Sequence, residues 1–245
     1  MNSGCTIHAS TFDAVIVAGG AGTRLGVSVP KAFLNLGGKP MFMHALDVFE
    51  SHALTEAIIL VVPADMTAEE QTVLSKRKLQ KGIHIVKGGK ERWHSVQNGA
   101  DRSSSDWIMV HDAARPFVTH AVIDALLDKM PRYDAIITVT PENDTVRTFE
   151  GDRCKTTIDR ATLVRVGTPQ LFRASLLKES FSLAASMPEP PTDEAMLMEK
   201  MGIPVGLAWG DPMNFKITAQ SDLMLAEALC LRKSLPLNPP RGGGQ

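Results

Sequence analysis

The chain has 245 residues, 44% of them hydrophobic, and its 26 lysines and arginines stand against 27 acids for a net charge of −1. That length can bury the core of a single large α/β domain, and the near-neutral balance offers no general attraction for nucleic acid or an anionic membrane, so any anion site must be local. No apolar run approaches the ~18 residues of a membrane span, residues 1–11 resemble no secretion signal, and Cys5, Cys154 and Cys230 lack metal-ligand spacing, so a cytoplasmic protein with free thiols is expected.

Val15, Ile16 and Val17 are β-branched and run into a glycine cluster, Gly19, Gly20 and Gly22, followed by Arg24 and Lys31. This reads as a buried strand feeding a phosphate-binding loop, because glycines let several backbone N–H groups converge on an anion. It is not a P-loop, since Thr23-Arg24-Leu25 follows the last glycine where Lys-Ser/Thr is required. Nor is it a dinucleotide fingerprint, because Leu25 stands at the third glycine and the next strand, Ile58–Val62, ends in Pro63 rather than in an acid.

Pro40 is expected to be the first residue of a helix whose apolar face is Phe42, Ala45, Leu46 and Phe49. Thr67 and Glu70 form a capping box for a helix to about Gln80. Ile83–Val86 is a third strand ending in Gly88-Gly89, with Lys90, Glu91, Arg92 and Ser95 opening another helix, so the strand-glycine-helix arrangement recurs. In open α/β sheets ligands collect beyond the carboxyl ends of strands, where the two glycine loops could face one pocket. Trp107–Val110 leads into His111-Asp-Ala-Ala-Arg-Pro116, where an acid suits a metal ion or ribose and an arginine suits phosphate, or the two simply fix the loop as a pair.

A helix over about His120–Met130 and a strand at Ala135–Val139 continue the alternation, which predicts a three-layer, Rossmann-like, mostly parallel sheet. The pattern breaks after Pro141. Thr145–Phe149 and Cys154–Ile158 read as a protruding β-hairpin arm within about 142–166. Seven basic residues against three acidic ones between Arg147 and Lys178 fit either an anionic ligand, another subunit or a solvated face. Gly167-Thr168-Pro169-Gln170 reads as a polar loop, Arg173–Ser186 as a helix, and Thr192-Asp193-Glu194 as a cap with acids for the next first turn. Pro204–Leu207 and Asn214–Ile217 read as short strands, the second carrying Lys216, and a helix follows from about Ala219 to Arg232. One domain over 1–235 and a disordered tail at 236–245 are expected.

Taken in order, Ala18–Arg24, Pro30-Lys31, Gly88–Arg92 with Ser95, His111–Pro116, Asp144-Thr145, Asp159-Arg160, Thr168–Gln170, Thr192–Glu194 and Asn214–Lys216 resemble the nucleotidyltransferases that join a cytidine nucleotide to a sugar-alcohol phosphate. The match is closest to the 2-C-methyl-D-erythritol 4-phosphate cytidylyltransferase family and spans about Asp13–Glu227. The resemblance implies transfer of the cytidylyl group of CTP to methylerythritol phosphate with release of pyrophosphate, in non-mevalonate isoprenoid precursor synthesis. It assigns Arg24, Lys31 and Lys216 to catalysis at the α-phosphate. It places Ala18, Gly19, Gly20, Gly22, Gly89, Lys90, Arg92, Ser95 and Asp112 on the nucleotide, and Asp112, Arg115, Thr168, Thr192 and Lys216 on the acceptor, with Thr145 and Arg160 arriving from the partner of a homodimer. A divalent cation, Mg²⁺, is implied, held mainly by phosphate oxygens with Asp112 nearby.

Such chemistry needs no general base, because the attacking phosphate oxygen is already an anion; it needs alignment and cations around developing charge. Ala32 and His94 stand where glutamine and aspartate are common in the family. Gly19-Gly20 is shared with the ribitol-5-phosphate cytidylyltransferases, the alternative acceptor class, whereas Ala114 favours the methylerythritol branch. A nucleotide-binding module without activity is the alternative of another kind, and the presence of Arg24, Lys31 and Lys216 speaks against it.

Overall fold

A computed structural model describes residues 10–19, 30–66 and 81–234. Gly20, Gly22, Arg24, the Thr67–Glu70 capping box and the 236–245 tail lie outside these residues. Seven strands form the central sheet: β1 (Phe12–Val17), β4 (Thr55–Val62), β5 (Gly82–Lys87), β6 (Trp107–Asp112), β7 (Ala135–Pro141), β10 (Val164–Arg173) and β11 (Val205–Trp209). Their order is β11-β7-β10-β6-β1-β4-β5. Every neighbouring pair is parallel except those made by β10, which runs antiparallel to both β6 and β7.

Period-two alternation on buried strands sorts the core into two layers. Ala14, Ile16, Leu60 and Met109 meet helix α1 (Met41–Ser51) and helix α3 (His120–Leu127) on one face. Val15, Val61, Ile108 and Val110 meet α2 (Arg92–Arg102), α4 (Ala174–Ser186) and α5 (Glu194–Lys200) on the other. The expected three-layer α/β architecture is therefore present. A smaller apolar cluster joins α6 (Gln220–Ser234) to Leu36, on the short ribbon β2 (Asn35–Leu36) and β3 (Lys39–Pro40), through Ile217 and Ala226. The arm is the exposed hairpin β8 (Val146–Glu150) with β9 (Arg153–Ile158).

Three local readings change. Residues 167–170 are not a loop: they lie inside β10, where the register with β7 shifts between Gly167 and Gln170. That irregularity accommodates a proline, which has no N–H for the ladder, in an interior strand. Asn214–Ile217 is not a strand; its backbone tie to the β6–α3 connection is the bond from Ile217 N–H to Ala114 O, 2.9 Å. Pro40, with φ −54° and ψ 142°, precedes α1 as its cap rather than opening it, and α3 ends at Leu127, beyond which i→i+3 turns take over.

Candidate active site

The sheet's parallel strands end along one rim, and the chemistry-bearing residues gather there. Gly19 follows β1, Gly88-Gly89 follows β5, and Asp112 is the last residue of β6. The two glycine loops converge on Ser95 of α2: its Oγ accepts from Gly89 N–H at 3.1 Å, and a Cβ at Gly88 or Gly19 would stand 3.0 or 3.8 Å from that oxygen. Gly89 is also obligatory sterically, because a Cβ there would meet that of His94 at 2.3 Å. His94 serves the cap of α2, its Nδ1 accepting from Glu91 N–H at 3.2 Å, so histidine in place of aspartate still satisfies the helix end.

Asp112 is the hub. Arg92 Nε donates to Oδ1 at 3.0 Å and Lys216 Nζ to Oδ2 at 2.7 Å, while both oxygens of the fully buried Glu194 lie 2.8 Å from Arg92 Nη1. Burial alone would raise the Asp112 carboxyl, but the charges of Arg92 and Lys216 outweigh it and hold the group well below the usual carboxylate range. Burial likewise opposes the Arg92 cation, and Asp112 and Glu194 more than restore it. Burial pushes the Glu194 carboxyl up against the pull of Arg92.

A neutral network braces the hub. Asp112 N–H donates to Thr168 Oγ1 at 3.0 Å, and Thr168 Oγ1 lies 3.2 Å from His111 Nδ1. His111 Nε2 lies 3.0 Å from Arg115 O, which assigns the proton to Nε2 and makes Nδ1 the acceptor of the Thr168 hydroxyl. Burial lowers the His111 pKa to about 4, so the ring is neutral at physiological pH. Arg115 donates to Asn214 O at 2.9 Å, and Asn214 Nδ2 to Thr168 O, also at 2.9 Å, which binds the Lys216 segment to β10. Lys31, in a 3-10 turn at Lys31–Phe33, donates through Nζ to Ile217 O, beside Lys216.

A cavity of about 440 Å³ opens on this array, and Asp112, Arg115, Thr168, Thr192 and Lys216 are among its walls. A family model described as 2-C-methyl-D-erythritol 4-phosphate cytidylyltransferase matches residues 12–232. The chain belongs to that family. It is 39% identical to the family enzyme of Bacillus velezensis over 90% of this chain and 96% of the relative, and 38% identical to that of Geobacillus kaustophilus over 89% and 96%. Among solved structures it resembles the 4-diphosphocytidyl-2C-methyl-D-erythritol synthase of Anaerococcus prevotii (TM-score 0.80, 25% identity, 91% and 97% of the two chains). It also resembles the cytidylyltransferase of Thermus thermophilus (TM-score 0.74, 31% identity, 89% and 98%).

Of the residues that the family resemblance singled out, the cavity brings together all five walls named above together with Arg92. Arg92, three residues after Gly89, lines the cavity and donates to both Asp112 and Glu194. Lys90 is exposed next to Gly89, and Ala18 is buried at the end of β1, donating to Val61 O at 2.7 Å. Thr145 and Arg160 are exposed on the arm and are not brought to this chain's own cavity. Sequence reasoning gave His111 and Asn214 no individual role, and Glu194 only that of an acid for a helix's first turn. The signal available for Glu194 was an acid beside an N-cap, which reads as a helix-dipole residue; only its depth shows otherwise.

Among the described residues no group of three or more His, Cys, Asp or Glu could hold a metal ion. Asp112, one of three acidic residues along the cavity with Asp193 and Glu199, fits a divalent ion that takes its remaining ligands from phosphate oxygens. No helix among the described residues is long and apolar enough to cross a membrane.

Proposed function

We infer that this protein transfers the cytidylyl group of CTP to 2-C-methyl-D-erythritol 4-phosphate, releasing pyrophosphate, in non-mevalonate isoprenoid precursor synthesis in the cytoplasm. The observation that carries the site assignment is the junction of Asp112, Arg115, Thr168, Thr192 and Lys216 on one cavity beyond the strand ends, in a chain of this family.

In this reading an oxygen of the acceptor phosphate attacks the α-phosphorus, the new P–O bond forms as the bond to the β-phosphate bridging oxygen breaks, and pyrophosphate leaves. Arg115 and Lys216 receive the acceptor phosphate, and Lys31 and Lys216, with Arg24, balance charge at the α-phosphate. Fixed cations aimed at developing charge are typically worth 10²–10³ in rate each. Gly19, Gly89 and Ser95 hold the cytosine ring, with backbone carbonyls accepting from its amino group, where uracil would present an acceptor instead. Asp112, with phosphate oxygens, would hold Mg²⁺, which supplies charge neutralisation when bound.

The functional unit in this reading is a homodimer in which Thr145 and Arg160 of each arm complete the other subunit's acceptor site. The support is the arm's exposure: Phe149 is 75% exposed, and Thr145 and Arg160 make no part of their own cavity. Pyrophosphate release is the deciding assay, with CTP, Mg²⁺ and either methylerythritol phosphate or ribitol phosphate. Turnover with the former is expected; turnover with ribitol phosphate alone would overturn the acceptor assignment, and none with either would overturn the reading.

A further inference from the structure

Glu194 is fully buried, carries a carboxylate, and is not one of the cavity's walls. A buried carboxylate is retained at considerable desolvation cost unless it is paired, and here its partner is a single nitrogen of Arg92. The same guanidinium uses a different edge, Nε, on one oxygen of Asp112. A guanidinium with one carboxylate partner tends to take both of its oxygens, in the parallel fork geometry. The fork open to Asp112 is Nε with Nη2; with Nη1 held at Glu194, Nη2 makes no bond to Asp112, and Oδ2 is left to Lys216. We propose that Glu194 is a positioning residue for the proposed transfer: it fixes Arg92 on one oxygen of Asp112 so that the other oxygen sets the ammonium of Lys216 in the cavity.

The arrangement is an alternating series of four charges, Glu194, Arg92, Asp112 and Lys216, drawn from α5, α2, the end of β6 and the 214–218 segment. None of the four is adjacent to another in sequence, so the series ties together four separately positioned pieces of the rim. It also predicts the direction of failure. Without the charge on Glu194, Arg92 turns toward Asp112, competes for Oδ2, and releases Lys216 from its place. The nucleotide's glycine loops and Ser95 are untouched by this change.

The inference rests on the proposed transfer only for its kinetic readout, so one arm of the test is structural. In a crystal structure of Glu194→Gln, Lys216 Nζ is expected to leave Asp112 Oδ2 while Gly19, Gly89 and Ser95 stay in place. Lys216 still within hydrogen-bond distance of Oδ2, with Arg92 unmoved, would overturn the proposal whatever the substrate is. In kinetics, kcat should fall about 10- to 100-fold, the range for a small misplacement of a reacting group. KM for the acceptor phosphate should rise while KM for CTP stays within about twofold. In the Lys216→Ala background the same substitution should cost less than about twofold, because the residue it acts through is gone. Full multiplication of the two effects would refute it. Arg92→Lys, which keeps the charge but cannot hold two carboxylates on two edges, serves if Glu194→Gln does not fold; wild-type kinetics from it would equally overturn the proposal.

Discussion

Acid should destabilise this protein in a window set by His111. The ring is fully buried and neutral, its Nε2–H donating to Arg115 O and its Nδ1 accepting from Thr168. Burial lowers its pKa from the ordinary 6.5 to about 4. Between those values the unfolded chain binds a proton that the folded chain refuses, so stability is full above about pH 6.5 and falls as the pH drops toward 4. The gap corresponds to about 3 kcal/mol, at a slope of no more than about 1.4 kcal/mol per pH unit. Asp112 contributes in a different window: its folded pKa is depressed, so its stabilisation is present above the ordinary carboxylate value and lost below it. Glu194, with a raised pKa, works in the opposite sense to His111, gaining stability as the pH falls. The contribution of His111 is therefore isolated by difference. Urea unfolding of wild type and His111→Gln from pH 7.5 to 4.5 should show the variant less stable at neutral pH, with the gap between the two narrowing by about 2–3 kcal/mol as the pH drops. Parallel curves across that range would refute the neutral, low-pKa ring.

Lys216→Ala should reduce kcat by about 10²–10³ while leaving CTP binding, measured by calorimetry, nearly unchanged. Gly99→Ala should destabilise without touching the site, because the new Cβ would stand 2.5 Å from Val15 Cγ1 and 3.0 Å from Val61 Cγ2; overpacking of this kind costs about 1–3 kcal/mol and should lower Tm with KM unaltered. Arg160→Ala and Lys216→Ala, each nearly inactive alone, should regain part of their activity when dissociated subunits are mixed. Absence of complementation despite demonstrated subunit exchange would refute the shared site.

The parallel half of the sheet was legible because its signals are local. Strands β1, β4, β5, β6 and β7 are short, largely apolar runs, most of them closed by a glycine turn, a polar motif or the start of a helix. The glycine loops and the His111–Pro116 stretch could be placed on one rim because parallel strands bring their carboxyl ends together. Pairing was not legible. Arg92 with Glu194, Lys216 with Asp112 and Asn214 with Thr168 are separated by 102, 104 and 46 residues, and no periodicity in the sequence says which cation meets which acid. Glu194 illustrates the point: two carboxylates in a row after Thr192 look alike, yet Asp193 caps α5 by accepting from Met196 N–H while Glu194 turns inward to Arg92.

The misread stretch Gly167–Gln170 has a physical lesson of its own, because the features that made it look like a loop are those that build the site. A regular antiparallel strand between β6 and β7 would commit its backbone groups to the ladders and carry no proline. At the register shift Pro169 is tolerated, and Thr138 Oγ1 donates to the Pro169 carbonyl at 2.6 Å. The Thr168 side chain is left to receive the N–H of Asp112, and its carbonyl receives the Asn214 amide. Gln170, buried again on the far side of the shift, donates to Gly167 O at 3.2 Å and to Asp193 Oδ2 at 3.0 Å, linking β10 to the cap of α5. The irregularity thus joins the end of β6, the start of α5 and the Lys216 segment, which carry three of the four members of the charge series. A turn-like composition inside a buried strand is in this fold the mark of a place where the ladder gives up its regularity to hold a functional rim together.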